Sequence, residues 1–155
     1  MTAGRTGFPG LNELQTKYGE KGFAVIGVQC NQFGLQNNEA EKESLNILKY
    51  VRPGDGYEPN FDLYGAVRAN GEGAEPLYTW LKEALPEPKE SGIDIPGGRY
   101  LTDTKPVTLA GEVCGKTDVK WNFEKFLIGK DGQPLARFQP RHDLDDIAAE
   151  IEKAL

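Results

Sequence analysis

The sequence changes abruptly from apolar to polar residues near residue 29, and this change predicts where a ligand would bind. Residues 23–28 form a continuous apolar run, which is typical of a strand buried on both faces, as in a parallel sheet. The polar segment that follows carries Asn31, Gln32 and Gln36. It would leave the carboxyl end of the strand, where ligands bind in α/β folds.

Helical patterns flank this strand along the chain. Residues 8–18 predict a helix with Pro9 in its first turn and Gly19 at its end. A second helix is expected to run to about residue 51 after a capping pair of Asn38 and Glu41. The clearest amphipathic pattern covers residues 75–85, where the apolar positions are Leu77, Trp80, Leu81, Ala84 and Leu85.

The C-terminal part of the chain predicts a hairpin and a helix. Two apolar strands, at residues 126–128 and 135–138, flank Asp131-Gly132, a strong turn signal. Asp143 can cap a last helix whose inner face would be Leu144, Ile147, Ala148, Ile151 and Leu155. Residues 86–118 show no sustained period and are expected to form a long excursion or an interface. Since no repeat or domain boundary is visible, residues 1–155 are expected to form a single domain.

Composition narrows the classes of function. The 155 residues are 38% hydrophobic, enough for one core, and the formal charge of −6 argues against nonspecific nucleic-acid binding. No apolar run reaches the ~20 residues of a membrane span. The two cysteines, Cys30 and Cys114, are too few for a disulfide framework, and with His142 as the single histidine a zinc cluster is not expected. We therefore predict no metal, no nucleic acid and no membrane.

Five ordered segments resemble the glutathione peroxidase family. They are LNELQ at residues 11–15, CNQFG at 30–34, YVRPG at 50–54, PNF at 59–61 and WNFEKFL at 121–127. One departure is Gln29, where the family usually has proline. The resemblance implies an α/β, thioredoxin-like fold with a mixed sheet flanked by helices. The first core strand would be missing here, because the first helix needs a strand before it to complete a βαβ unit.

The resemblance implies a catalytic tetrad built around a selenocysteine or cysteine nucleophile. Its other members correspond to Gln36, Trp121 and Asn122. Two amides and one indole N–H are uncharged donors, suited to a chalcogen anion and to the charge that develops as an O–O bond breaks. Without the resemblance, a core role for Trp121 and loop-stabilising roles for the two amides would be favoured. Both Trp121 and Asn122 reach one site only if the backbone is irregular there, since neighbouring side chains of a regular strand face opposite sides.

The resemblance also implies basic side chains that hold the carboxylates of glutathione. Arg52 matches such a motif. Arg141 matches one member of an arginine pair, but Pro140 occupies the other position, which weakens the inference of glutathione binding. For both arginines the competing interpretation is a solvated surface charge.

The nucleophile itself is expected just upstream of Met1. In the family it opens a short segment whose last two residues, x-Thr, are matched by Met1 and Thr2. We hypothesise that a UGA selenocysteine codon, taken as a stop, moved the assigned start to the next methionine. The chain would then lack the nucleophile and the strand before it. If that strand buries about five apolar side chains, the loss is ~7–15 kcal/mol, so the chain should fold poorly and be inactive as given.

These observations together predict a glutathione peroxidase, an antioxidant enzyme that reduces hydrogen peroxide and organic hydroperoxides with glutathione in a ping-pong scheme. In the thiol-dependent branch of the family a resolving cysteine lies on the helix near residues 45–51, and this chain has none there. The resemblance therefore favours the selenoprotein type, which is reduced by glutathione and needs no bound cofactor. Residues 50–56 and 86–118 resemble the tetrameric branch, so a homotetramer is expected. Three alternatives stay open: an inactive truncated chain, a thioredoxin-like binding or regulatory module, and a redox sensor that uses Cys30. The compartment is also open, with the cytoplasm favoured.

Overall fold

The computed structural model describes residues 6–37, 43–89 and 115–155, together with the backbone of residues 108–109 and 112–113. The helices are α1 (Phe8–Tyr18), α2 (Ser44–Tyr50), α3 (Pro76–Ala84) and α4 (Leu144–Ala154), and a 3₁₀ turn, Gly19–Lys21, follows α1. The strands are β1 (Ile26–Val28), β2 (Asp62–Tyr64), β3 (Thr108–Leu109), β4 (Glu112–Val113), β5 (Lys125–Ile128) and β6 (Pro134–Phe138).

These strands form three separate pairs. Strands β1 and β2 are parallel, with Gly27 opposite Leu63, and α2 lies between them in the chain. Strands β3 and β4 are antiparallel, as are β5 and β6, where Leu127 lies opposite Ala136. The mixture of parallel and antiparallel pairs with helices agrees with the predicted α/β class.

The main core lies where α1 and α4 pack on the β5–β6 hairpin. The predicted ends of α1 are confirmed, and so is Asp143 as the cap of α4, because its side chain accepts the Asp145 N–H at 2.7 Å. The predicted hairpin is confirmed, with Gly132 in its turn at a φ of 81°. The buried side chains of this core are Leu14, Tyr18, Leu127, Ala136, Phe138, Leu144, Ile147, Ala148 and Ile151.

A second, smaller cluster lies next to the loop that follows β1. Its buried members are Phe33, Ala69 and Val119. The half-buried side chains of Cys30, Tyr78, Trp121 and Phe126 pack against it. Residues that are far apart in the sequence therefore meet at this cluster.

Two predictions about burial are wrong. The strand predicted at residues 23–28 is only Ile26–Val28, and Ile26 is 62% exposed because an open cleft, described below, runs beside β1. In α3 only Leu81 is buried, whereas Leu77 and Trp80 are exposed. The helix instead turns Lys82 inward, where its Nζ contacts Asp118 Oδ1 at 2.9 Å. The capping pair of Asn38 and Glu41 lies outside the described residues.

Candidate functional site

A tight turn after β1 returns the chain toward the second cluster. Gly34 and Leu35 both have left-handed backbone, with φ of 70° and 51°. A β-carbon built at Gly34 would lie 3.3 Å from Trp121 Cη2, so the turn passes directly against the indole ring. The left-handed φ and the close contact together explain why glycine suits this position.

The turn brings the three predicted donor residues together. The amide nitrogen of Asn122 donates to Gln36 Oε1 at 3.2 Å and to the carbonyl oxygen of Phe33 at 3.5 Å. The rings of Phe33 and Trp121 are 6.4 Å apart between centroids. Gln36 and Asn122 are far apart in sequence, so their direct contact comes from the fold.

The predicted irregular backbone around Trp121 and Asn122 is confirmed. Phe123 has a φ of 67°, a left-handed conformation that is unusual for an aromatic residue. The conformation bends the chain just before β5 begins at Lys125. Both side chains can thereby approach the Gly34 turn, which a regular strand would prevent.

Buried polar groups hold this bend in place. The Asn70 side chain accepts the Val119 N–H at 3.0 Å and donates to the Val119 carbonyl oxygen at 2.8 Å. After the bend, Glu124 Oε1 accepts the Lys120 N–H. Residues 119–124 are therefore fixed from both sides by side chains whose hydrogen bonds are satisfied.

Glu124 is in turn paired with a fully buried arginine. Arg137 Nε lies 2.7 Å from Glu124 Oε2, and the two side chains are 0% and 2% exposed. Nη1 of the guanidinium donates to the carbonyl oxygens of Leu85, Pro86 and Thr117, and Nη2 donates to that of Asp118. Sequence reasoning missed this pair. The available signal was an arginine inside the apolar strand at 134–138 and a glutamate just before the facing strand.

Lys125 joins three elements at the same end of the molecule. Its Nζ donates to the carbonyl oxygens of Thr6, just before α1, and of Pro140, just before α4, at 2.7 Å and 2.6 Å. Burial lowers the pKa of this ammonium group to about 8, although the nearby Glu124 carboxylate acts in the opposite direction. Sequence reasoning did not single out this lysine.

The other polar residues of the loop after β1 serve the fold. Gln32 Oε1 accepts the N–H groups of Ala69 and Asn70 at 2.8 Å and 2.9 Å, and its Nε2 donates to the Asn70 carbonyl oxygen. Asn31 Oδ1 accepts the Asn37 N–H at 2.9 Å. Of the three loop residues singled out from sequence, Gln36 is therefore the one that contacts Asn122.

The three donors open onto a cleft with a volume of about 580 Å³. Arg52 also lines this cleft, whereas Arg141 is exposed and lies outside it. Cys30 is a free, half-buried thiol on the cleft wall, and Cys114 falls outside the described residues. Four of the five candidate residues named from the sequence therefore line one cleft, namely Gln36, Arg52, Trp121 and Asn122.

The site is suited to an anion that needs uncharged donors. Within the described part of the chain, neither the Trp121 indole N–H nor the Gln36 amide nitrogen makes a hydrogen bond. The same ranges contain no cluster of His, Cys, Asp or Glu that could hold a metal ion. No helix among the described residues is long and apolar enough to cross a bilayer.

Comparisons with known proteins find relatives over most of the chain. Residues 2–82 match the model of the glutathione peroxidase family. The chain is 48% identical to glutathione peroxidase 1 of Hylobates lar over 145 residues, which cover 94% of this chain and 69% of that protein. The corresponding protein of Bos taurus is 46% identical, with 67% of it covered.

Two solved structures have the same fold. The crystal structure of Trgpx in apo form gives a TM-score of 0.57 at 28% identity, covering 95% of this chain and 69% of that one. The crystal structure of T. cruzi GPX1 gives a TM-score of 0.59 at 24% identity, covering 99% and 71%. The predicted thioredoxin-like α/β fold is confirmed by this likeness.

Proposed function

This chain belongs to the glutathione peroxidase family, and we propose that the complete protein reduces hydrogen peroxide and organic hydroperoxides with glutathione. The observation that carries the proposal is the cluster of Gln36, Trp121 and Asn122 at the mouth of the cleft. Three uncharged donors from segments distant in sequence converge where α/β folds bind ligands, at the carboxyl end of β1.

The proposed chemistry is a two-stage exchange at a chalcogen anion. The selenolate or thiolate attacks one peroxide oxygen, the O–O bond breaks, and the departing alkoxide or hydroxide takes a proton, which leaves a selenenic or sulfenic acid. One glutathione thiol then displaces water to form a mixed chalcogenide. A second glutathione thiol releases oxidised glutathione and restores the nucleophile. In this scheme the Trp121 indole N–H and the Gln36 amide N–H groups stabilise the anion before and during cleavage of the O–O bond, and Asn122 orients the Gln36 amide by donating to its oxygen.

The nucleophile of this scheme is a selenocysteine or cysteine that is not among the described residues. Cys30 is a poor substitute because its thiol packs against the second cluster and donates toward Gln32 Oε1 at 3.6 Å. We therefore infer that the 155 residues alone have no peroxidase turnover. Glutathione acts as the reducing co-substrate, and the proposed scheme needs no metal or bound cofactor.

For glutathione we propose that Arg52 contributes more than Arg141. Arg52 lines the cleft that the three donors share, and its exposed side chain can meet a carboxylate. Arg141 is exposed but stands outside the cleft. Both assignments come from the family resemblance. The position of Arg52 along the cleft supports its assignment.

The test compares tryptophan variants of the chain extended by its upstream reading frame. We expect Trp121→Phe to lower kcat/KM for hydrogen peroxide by roughly 10²–10³-fold, the cost of losing one positioned donor. Trp80→Phe is the matched control, because Trp80 is an exposed residue on α3. Equal activity of the two variants would contradict the proposed site. In the same assay Arg52→Gln should raise the KM for glutathione, and Arg141→Gln should not.

We also propose that the protein is a homotetramer. Exposed apolar side chains on and just after α2 support an interface, because Leu45, Tyr50 and Val51 are all exposed and Tyr50 is 71% exposed. Light scattering after size exclusion tests this proposal. We expect Tyr50→Glu to lower the mass to that of a smaller assembly. Leu135→Glu, at an exposed position on β6, should leave it unchanged.

A further inference from the structure

One buried asparagine holds both backbone groups of Val119, two residues before Trp121. The Asn70 amide oxygen accepts the Val119 N–H at 3.0 Å, and the Asn70 amide nitrogen donates to the Val119 carbonyl oxygen at 2.8 Å. Both residues are 4% exposed. A neighbouring strand would make the same pair of contacts, so the side chain fixes the position and also the orientation of the backbone at Val119.

The chain around Asn70 is held from its other side by the loop that carries Gln36. Gln32 Oε1 accepts the N–H groups of Ala69 and Asn70 at 2.8 Å and 2.9 Å, and Gln32 Nε2 donates to the Asn70 carbonyl oxygen at 2.9 Å. Gln32 is itself buried and precedes Gln36 by four residues. The segment that contains Asn70 therefore bridges the loop after β1 and the bend before β5.

A lysine determines which way the Asn70 amide points. Lys82 Nζ donates to Asn70 Oδ1 at 3.2 Å, to the Ala69 carbonyl oxygen at 2.9 Å and to Asp118 Oδ1 at 2.9 Å. Because an ammonium group has donors only, the amide atom that faces it is the oxygen. The amide nitrogen then faces the Val119 carbonyl. Aspartate at position 70 would instead set an oxygen against that carbonyl and would lose the donor.

The direct contact between the site residues is longer than these supporting contacts. Asn122 Nδ2 donates to Gln36 Oε1 at 3.2 Å and to a backbone carbonyl at 3.5 Å, at and beyond the long end of ordinary N–H···O distances. The contacts of Asn70 with Val119 and Gln32 are 2.8–3.0 Å long and buried. The supports, more than the bond between the two amides, therefore set the distance between Gln36 and Asn122.

We propose that Asn70 is a positioning residue, which sets how the bend bearing Trp121 and Asn122 lies against the loop after β1. Asn70 acts through Val119, because Val119 lines the cleft and Asn70 does not. For its effect on turnover the inference rests on the proposed function. Its effect on the placement of the indole ring is independent of turnover and can be measured separately.

The test substitutes Asn70 and a matched asparagine in the complete protein. Asn70→Asp keeps the shape of the side chain but removes the donor to Val119. Asn60→Asp is the control, because the Asn60 amide nitrogen also donates to a backbone carbonyl, that of Asn12, but at an exposed position. We expect Asn70→Asp to lower kcat/KM for hydrogen peroxide by roughly 10–10²-fold, the cost of displaced donors, and Asn60→Asp to leave it unchanged.

A double-mutant cycle separates positioning from general destabilisation. If Asn70 acts by holding Trp121, Asn70→Asp should cost less activity once the indole N–H has been removed by Trp121→Phe. Fully additive effects would overturn the inference, because a destabilised protein loses the same fraction of its activity in either background.

The indole emission gives a readout that needs no turnover. With Trp80 replaced by phenylalanine, the emission comes from Trp121 alone. Asn70→Asp should then shift it to longer wavelength, because a ring that is no longer held in place becomes more exposed to water. Asn60→Asp should leave the emission unchanged. An unchanged emission in Asn70→Asp would overturn the inference.

The unmodified protein allows a measurement that does not depend on the folding of a variant. The Asn70 side-chain N–H that donates to Val119 should exchange with solvent at least about tenfold more slowly than the exposed side-chain N–H of Asn60, and the Val119 N–H should be protected as well. Rapid exchange of both groups would overturn the inference even if Asn70→Asp did not fold.

The inference and the proposed function can fail separately. An emission shift in Asn70→Asp, with no peroxidase turnover in the unmodified protein, would refute the proposed function and leave the positioning role intact. Loss of turnover in Trp121→Phe but not in Asn70→Asp would do the reverse.

Discussion

The two strand pairs that flank the cleft differ in what covers them. The β5–β6 hairpin lies under α1 and α4, and Leu127, Ala136 and Phe138 are buried in the main core. The β1–β2 pair is just as apolar in sequence, but Ile26 and Tyr64 are exposed. Burial in this chain is therefore decided by whether a packing partner is available, not by side-chain type.

The same contrast holds for charged groups. The hairpin side buries Arg137 and Glu124 and gives the guanidinium four backbone acceptors as well as the carboxylate. The Lys49–Glu58 pair, by contrast, lies at the surface. The hairpin side therefore encloses a charge pair and supplies its hydrogen bonds. We expect the largest mutational effects on stability on this side.

The largest effect is expected at the buried ion pair. Glu124→Gln leaves the Arg137 charge buried without a counter-charge and should lower the free energy of unfolding by about 3–5 kcal/mol. Glu58→Gln is the control. Its pair with Lys49 is shorter, 2.5 Å against 2.7 Å, but it is exposed to solvent, so its loss should lower the free energy of unfolding far less than Glu124→Gln does. Urea titration, with an osmolyte present to secure the folded baseline, measures both. Similar costs would refute the contrast between the two sides.

The next effect compares two isoleucines. Ile151→Ala removes a side chain that is 1% exposed in the main core and should cost about 2–5 kcal/mol. Ile26→Ala changes an exposed residue on the open strand and should stay within about 0.5 kcal/mol. A large cost for Ile26→Ala would show that β1 is already covered.

Local sequence patterns were sufficient to predict the side of the molecule that contains the β5–β6 hairpin and α4. Helix α4 could be predicted because its cap, Asp143, and its apolar period lie within one short stretch of sequence. The hairpin could be predicted because Asp131-Gly132 encodes its turn. The bend at Phe123 followed from requiring two neighbouring side chains to share one site.

Features that depend on distant partners were missed. The pattern of residues 23–28 indicated burial, but burial requires a strand on the other edge of β1, and sequence alone does not show whether one is in place. In α3 the apolar side chains of Leu77 and Trp80 stay exposed. Leu81 is buried instead, and Lys82 turns inward to Asp118. The role of Lys125 depends on two carbonyl groups that are remote from it in sequence.

Lys125 predicts a pH dependence of stability. Its pKa is about 8 in the folded chain against an ordinary value of 10.5, so above pH 8 the unfolded chain holds more protons. Stability should therefore rise between pH 8 and 10.5, by ~3 kcal/mol in total from this group. Unfolding free energies measured across this range check the sign. Lys125→Met should abolish the rise, and Lys153→Met, which changes an exposed lysine, should preserve it. A decrease in stability attributable to Lys125 would mean that its ammonium is not buried.

The smallest and most local effect compares two glycines with the same backbone strain. Gly34 and Gly132 have φ of 70° and 81°, so alanine at either position should cost about 1–2 kcal/mol. A β-carbon at Gly132 meets nothing within 4 Å, but at Gly34 it would lie 3.3 Å from Trp121 Cη2. In a Trp80→Phe background, Trp121 is the single tryptophan, so the indole emission reports on it alone. Gly34→Ala should then shift the indole emission while Gly132→Ala leaves it unchanged, because only the first substitution displaces the ring beside Gln36. Identical spectra would place the indole away from the turn, and with it away from the proposed anion site.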